Sequence, residues 1–169
     1  MMKRTALALL GLLALATEQS HAQSWPTRPI QIVVSSGAGG AADIMARLVG
    51  EQLSAALGQP VVVENRPGAG GNTGAIAVAR ANPDGYTLLM SGSPTHSVGP
   101  HLFKNLPYDP MRDIPPVAMV AVAPNLLVVN PSLPAKSVAD LVNLAREKPG
   151  TITYSSAGIG TSGYLAADE

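Results

Sequence analysis

A β-rich run that empties into a glycine loop and then into a helix constrains this chain more than any other feature. Residues 30–48 read Ile-Gln-Ile-Val-Val-Ser-Ser-Gly-Ala-Gly-Gly-Ala-Ala-Asp-Ile-Met-Ala-Arg-Leu. Ile30 to Val34 form the run, Gly37, Gly39 and Gly40 the loop, and Asp43 falls in the first turn of an amphipathic helix. A strand that delivers its chain to a bare helix N-terminus leaves backbone N–H groups pointing outward, where the helix dipole favours negative charge. Glycine lets such a backbone approach a ligand closely. The local pattern therefore implies a site for a small anion.

The same arrangement returns further along, without repetition of sequence. Ile44, Met45, Leu48, Val49, Leu53, Ala56 and Leu57 fall on one helical face, and Gly58 with Pro60 ends that helix. Val61-Val62-Val63 is a short apolar strand of the kind covered on both faces. A second glycine loop, Glu64 to Thr73, leads into an alanine-rich helix over 74–81, a turn at Asn82-Pro83-Asp84-Gly85 and a third strand from Tyr86 to Met90. Strands and helices alternating in this way predict an α/β fold on a parallel sheet. Ser91 to Ser97 again follows a strand. Three loops rich in Gly, Ser, Thr or Asn thus sit at strand C-terminal ends, where parallel sheets hold ligands.

Beyond them the chain is proline-rich and irregular from Leu106 to Pro116. Val117–Val122, Leu126–Val129 and Thr151–Tyr154 read as strands. Ser137, with Asp140 three residues on, predicts a capped helix whose apolar face is Val138, Leu141, Val142 and Ala145 and whose end is Pro149-Gly150. Ser155 to Gly163 is a fourth polar, glycine-rich loop, and a helix starting near Ser162 reaches the last residue, Glu169, after about two turns. Too short to complete a strand–helix–strand unit, that helix predicts that residues 1–169 are the front part of a longer protein. On its own this piece is expected to be a poor receptor, with apolar faces and strand edges left open.

The N-terminus carries a separate signal. Lys3 and Arg4 precede an apolar stretch from Thr5 to Thr17, and Ser20-His21-Ala22 offers small residues at −3 and −1 of a cut after Ala22. This order predicts a secretory signal peptide over residues 1–22, too short to span a membrane, and export to the periplasm. Cleavage would remove Lys3, Arg4 and Glu18, leaving nine basic and ten acidic residues and a net charge of −1. That balance offers no basic patch for nucleic acid. Cysteine is absent, so an exported chain must be held by its core, which suits the bacterial periplasm. With 46% hydrophobic and 13% charged residues the chain reads as globular. No second long apolar run follows, which predicts a soluble mature chain.

A catalytic reading has one foothold. Gly37-x-Gly39-x-x-Ala42 follows a strand, opens a helix and precedes Glu64 at a strand end, which satisfies the dinucleotide fingerprint in its G/A form. An NAD(P)-dependent Rossmann-type oxidoreductase is therefore the alternative to a binding protein, although an exported chain would not meet free NAD. His96 and His101 lack an acidic partner at metal-ligand spacing. Gly158 to Gly163 contains no G-x-S-x-G. Neither an enzyme, a metal nor a cofactor is expected. A purely structural envelope protein leaves four glycine-rich loops at strand ends unexplained.

Several longer blocks carry a family resemblance: Trp25-Pro26-Thr27-Arg28-Pro29-Ile30, Gly39-Gly40-Ala41-Ala42-Asp43 with Ala46-Arg47, Leu57 through Asn72, Pro83 through Leu89, Leu106 through Pro110, Pro131 through Pro134, and Ser155 through Thr161. On them the chain resembles the Bug-type periplasmic solute-binding receptors of tripartite tricarboxylate transporters. The resemblance implies a two-domain Venus-flytrap protein of two parallel-sheet α/β domains, here truncated. Residues 23–122 would be the front part of domain 1 and residues 123–169 the incomplete start of domain 2. It implies a small carboxylate ligand, delivery to integral-membrane transporter subunits, and a monomer. Citrate, dicarboxylates, acidic amino acids and aromatic carboxylates are all candidates. Two blocks depart from the family: Ser35-Ser36 stands where Pro-Phe is usual, and Tyr164-Leu165-Ala166-Ala167-Asp168 where His-Leu-Ala-Gly-Glu is usual.

In the family, ligand carboxylates are held by backbone amides and ordered waters from cleft loops. Carried over by position, the first loop supplies Ser36, Ala38, Gly39, Gly40 and Asp43, the third Ser93, Thr95 and His96, and the fourth Gly158, Gly160, Thr161 and Ser162. Bland roles compete with each. A first-turn carboxylate such as Asp43 stabilises its helix with no ligand, and capping or water positioning is its expected role over direct contact. A lone loop histidine is usually solvated or capping, and Thr161 or Ser162 can simply be an N-cap. Arg66 can meet a ligand carboxylate or pair with Glu64, and the structural role is the expected one.

Overall fold

The structure, a computed structural model, describes residues 25–168, so the expected leader over 1–22 lies outside the described residues. Three parallel strands form the sheet: β1 (Ile30–Val34), β2 (Val61–Asn65) and β3 (Thr87–Met90), in the order β2-β1-β3. Helix α1 (Ala41–Leu57) joins β1 to β2, and α2 (Asn72–Ala79) joins β2 to β3. β1 is bonded on both sides, with Ile30 opposite Val61 and Gln31 opposite Thr87.

Period-two alternation sends successive β1 side chains to opposite faces. Ile32 and Val34 pack with Leu88, Met90, Val61 and Val63 against Ala42 and Ala46 of α1. On the other face, Leu89 packs with Ala75, Ile76, Val78 and Ala79 of α2, and Tyr108, Ile114 and Leu106 close that cluster. Ile30, Val33 and Val34 are fully buried, and each contributes about 1.5–3 kcal/mol by leaving water.

α1 does not bury the face its large residues suggest. Ile44 and Leu48 are about half exposed, whereas Asp43, Ala46 and Gly50 are buried. A Cβ on Gly50 would lie 3.2 Å from Val61 Cγ1. Small residues one turn apart let the helix lie close on the sheet, and Met45, Val49, Leu53 and Leu57 are left half-buried at its flank.

Three further expectations change. Val117–Val122, Leu126–Val129 and Thr151–Tyr154 have no strand pairing among the described residues. Val117, Val122, Leu126 and Val128 are exposed. An extended apolar segment becomes a strand only when a neighbour takes its N–H and C=O groups. The stretch after β3 is not an irregular loop: Pro94–Val98 makes a π-type turn that runs into a short helix, α3 (Gly99–Leu102). Helix α2 starts at Asn72 rather than Gly74, because a tight 3₁₀ turn at Ala69–Gly71 feeds directly into it. The capped helix is present as α4 (Val138–Glu147), with Ser137 Oγ accepting from Asp140 N at 3.1 Å. The last helix, α5 (Ser162–Asp168), starts where expected.

Candidate functional site

Order β2-β1-β3 places a topological switch point beside β1. The chain leaves β1 toward β2 on one side, and β3 lies on the other. The loops after β1 and β3 therefore diverge to opposite faces and open a crevice between them. Ser35 and Ser91 meet across it, with Ser35 Oγ donating to Ser91 Oγ at 3.1 Å. The ladder continues one residue past β1, where Ser35 N donates to Met90 O at 3.1 Å.

On the near side, residues 37–40 are exposed backbone leading to α1. Gly40 is the N-cap of α1 and supplies no side-chain cap, so the first N–H groups of the helix point out of its end. Gly39 has φ +80, which glycine adopts freely and a side chain resists. Ser36 Oγ is the only buried side-chain oxygen or nitrogen among the described residues without a hydrogen-bond partner. It sits by the N-cap: a Cβ on Gly40 would be 3.9 Å from it.

Asp43 lies behind this loop and is buried. Its carboxylate accepts from Gly39 N at 2.8 Å, from Asn65 Nδ2 at 3.0 Å and from Arg47 Nη2 at 2.9 Å. The Arg47 bond, helped by Gly39 and Asn65, holds its pKa down to about 2. An ionised carboxylate so engaged orders the loop and offers no free face to an anion.

Behind the far loop runs a chain of polar groups. Ser91 Oγ bonds Thr95 Oγ1, which lies 3.0 Å from Gly92 O and 3.2 Å from His96 Nδ1. His96 Nε2 lies 3.1 Å from Ile114 O. A carbonyl only accepts, so Nε2 carries a hydrogen there. Tyr108 donates to Asn72 Oδ1 at 2.7 Å and to Thr95 O at 3.3 Å, and Asn72 Nδ2 donates to Ala69 O at 2.9 Å. Thr95 is 1% exposed. It ties the loop to the core and does not reach the surface.

The second glycine loop crosses the end of the sheet. A Cβ on Gly71 would lie 3.2 Å from both Ser35 Oγ and Thr95 Cγ2, and one on Gly70 would strike Ile159 O at 2.6 Å. Arg66 pairs with Glu64, with Nε to Oε1 at 2.7 Å and Nη2 to Oε2 at 3.2 Å. Its bond is the main cause holding Glu64 below the ordinary carboxylate range. Gln31 also donates to Glu64, so the acidic residue of the dinucleotide reading is tied within the sheet.

The fourth loop approaches from the far segment. Gly160 is buried, and a Cβ there would be 3.0 Å from Leu102 Cδ1. Thr161 Oγ1 donates to Gly158 O at 2.7 Å and accepts from Tyr164 N at 3.3 Å, so it is the N-cap. Asn125 Nδ2 donates to Ser162 Oγ at 2.8 Å.

Ser36, Ala38, Gly40, Ser93, His96, Gly158, Thr161 and Ser162 all border one open space of about 3230 Å³, which also takes in Leu53 of α1, Val78 of α2 and the exposed Val117, Leu126 and Val142. Small-ligand pockets hold about 300–1,000 Å³, so a ligand would occupy only a part of it. Gly39, Asp43, Thr95 and Gly160 do not line it. Sequence reading overlooked Asn65, Ser91, Asn72 and Tyr108, which bond across elements far apart in the chain. Among the described residues no group of three or more His, Asp or Glu forms a metal site. No described helix is long and apolar enough to cross a membrane.

Comparison with known proteins adds a family to this geometry. A family model described as the tripartite tricarboxylate transporter family receptor matches residues 45–169. Protein BugT of Bordetella pertussis is 40% identical over 148 residues, which cover 87% of this chain and 45% of that protein. Among solved structures, Rhodopseudomonas palustris Rpa4515 with adipate superposes with a TM-score of 0.80 at 40% identity, covering 85% of this chain and 48% of that one. MatC from Rhodopseudomonas palustris with bound malate gives 0.78 at 34% identity, covering 85% and 49%. The chain spans about half the length of the curated relatives it matches.

Proposed function

The chain belongs to the tripartite tricarboxylate transporter receptor family, and from that premise we propose that it is part of a periplasmic receptor that captures a small di- or tricarboxylate. Residues 23–122 contribute the front of one flytrap lobe and residues 123–169 the start of the second. The protein is exported, works as a monomer and hands its ligand to integral-membrane transporter subunits. Catalysis plays no part in this role.

The observation that carries the reading is the Ser36 hydroxyl, buried without a partner within the protein beside the uncapped N-terminus of α1. A buried donor of this kind is stabilised by an acceptor, and the helix end favours that acceptor being an anion. Gly37 and Gly40 leave room for a carboxylate to meet the main chain. Ser93 across the crevice and the Ser162 hydroxyl on the far side supply polar contacts to the rest of the molecule, directly or through water, while His96, Gly158 and Thr161, whose polar atoms are bonded within the protein, shape the wall. Similarity to proteins solved with adipate and malate supports an aliphatic dicarboxylate.

A thermal-shift screen of the full-length protein tests this reading. Malate, adipate, citrate, glutamate and an aromatic carboxylate are compared with NADH. A rise in melting temperature with at least one carboxylate and none with NADH is expected. A rise with NADH alone would restore the dinucleotide reading.

A further inference from the structure

We infer that Asn65, which does not line the cleft, is a positioning residue that holds the first glycine loop in its ligand-receiving shape. The inference rests on the carboxylate reading of that loop. Asn65 ends β2 and lies in register with Val34, so its side chain starts from the sheet, the most rigid part of the fold. Its amide donates to Ser36 O at 3.2 Å and to Asp43 Oδ1 at 3.0 Å, and accepts from Arg47 Nη2 at 3.2 Å. The orientation is unambiguous. Arg47 only donates, so it must face Oδ1. Ser36 O and the ionised Asp43 only accept, so both must face Nδ2.

This single side chain therefore reaches both sides of the loop. It holds Ser36 by its carbonyl directly. It holds Gly39 through Asp43, whose Oδ2 accepts from Gly39 N at 2.8 Å. Between those ties lie only Gly37 and Ala38, both exposed. A loop containing three glycines loses much backbone freedom when ordered. Left untied, that loss would fall on ligand binding and lower the affinity by the fraction of molecules in the competent shape. The Asn65–Asp43 clamp meets that loss during folding instead.

Two variants of the full-length protein and two readouts test the clamp. Hydrogen exchange at the Gly39 amide in ligand-free protein reports the loop directly, and calorimetry with malate or adipate reports affinity. Asn65→Ala should speed Gly39 exchange about tenfold or more and weaken carboxylate binding by a similar factor. Asn65→Asp keeps the shape but sets a second carboxylate against Asp43 and Ser36 O. Its affinity, taken relative to wild type at the same pH, should be low at pH 7 and rise as acid returns a donor hydrogen to the introduced carboxyl, which Asp43 pushes up and Arg47, on its other oxygen, pulls down. A purely structural residue would give no such recovery. Unchanged Gly39 exchange, or wild-type affinity in both variants, overturns the clamp. If wild-type protein binds no carboxylate, the functional reading falls, and the exchange data alone still decide whether Asn65 orders the loop.

Discussion

The main-chain amide of Gly39 donates to the carboxylate of Asp43 at 2.8 Å. A residue that invites reading as a ligand contact is thus bonded back into the loop that leads to its own helix. Arg47, one turn further on, closes the arrangement at 2.9 Å.

Strong acid should loosen this loop. Asp43 sits at about 2 in the folded protein against an ordinary 3.8. The unfolded chain therefore takes up its proton more readily, so the group's contribution to stability is complete above about pH 4 and is lost as pH falls toward 2. Asp43→Asn should be less stable than wild type at pH 7, and that gap should have narrowed markedly by about pH 2.5. Urea midpoints at the two pH values measure it, and an equal gap at both would contradict the assignment.

Gly40 tests the loop's surface. Its φ of −77 suits any residue, and a Cβ would be 3.5 Å from Gly37 O, an ordinary contact. Gly40→Val should therefore fold with a melting temperature near wild type, while its branched side chain covers the end of α1. Carboxylate affinity should fall by about a hundredfold or more. Calorimetry showing wild-type affinity would remove this loop from the site.

Gly70 tests the contact between the second glycine loop and the fourth. Its φ of +64 and the 2.6 Å approach of a Cβ to Ile159 O both oppose a side chain. Gly70→Ala should lower stability by about 1 kcal/mol or more and speed proteolysis within residues 155–161. Unchanged cleavage would show that the contact does not hold the fourth loop.

Ser36 carries opposed expectations. Its unpaired hydroxyl costs stability, so Ser36→Ala should leave the ligand-free melting temperature unchanged or raise it. The same change should weaken carboxylate binding about tenfold, since a hydrogen bond to a charged group is worth about 1.5–3 kcal/mol. A drop in melting temperature with affinity intact would assign the hydroxyl a structural role.

The parts of the fold legible in the sequence are those encoded locally. Ile30–Val34, the glycine loop and α1 follow one another, and Ser137 announces α4 by its own side chain. Strand order is not local, and with it the Ser35–Ser91 contact stays hidden. Asn65 looks like one residue of a turn until β2 is laid beside β1, when its amide meets Ser36 and Asp43. Ile44 and Leu48 mislead because helix-to-sheet distance here is set by Ala46 and Gly50. Val117–Val122 has the composition of a strand, but pairing requires a neighbour that no local pattern supplies. Pro94–Val98 has the composition of a loop, yet buried Thr95 and its hydroxyl partners wind it into a turn.

Isothermal titration of the full-length protein with malate and adipate, run in parallel on Gly40→Val, tests the central claim most directly. Saturable one-to-one binding to wild type, lost in Gly40→Val while its melt stays cooperative, is the predicted result. Binding of equal strength to both proteins, or to neither, would contradict a carboxylate site at the N-terminus of α1.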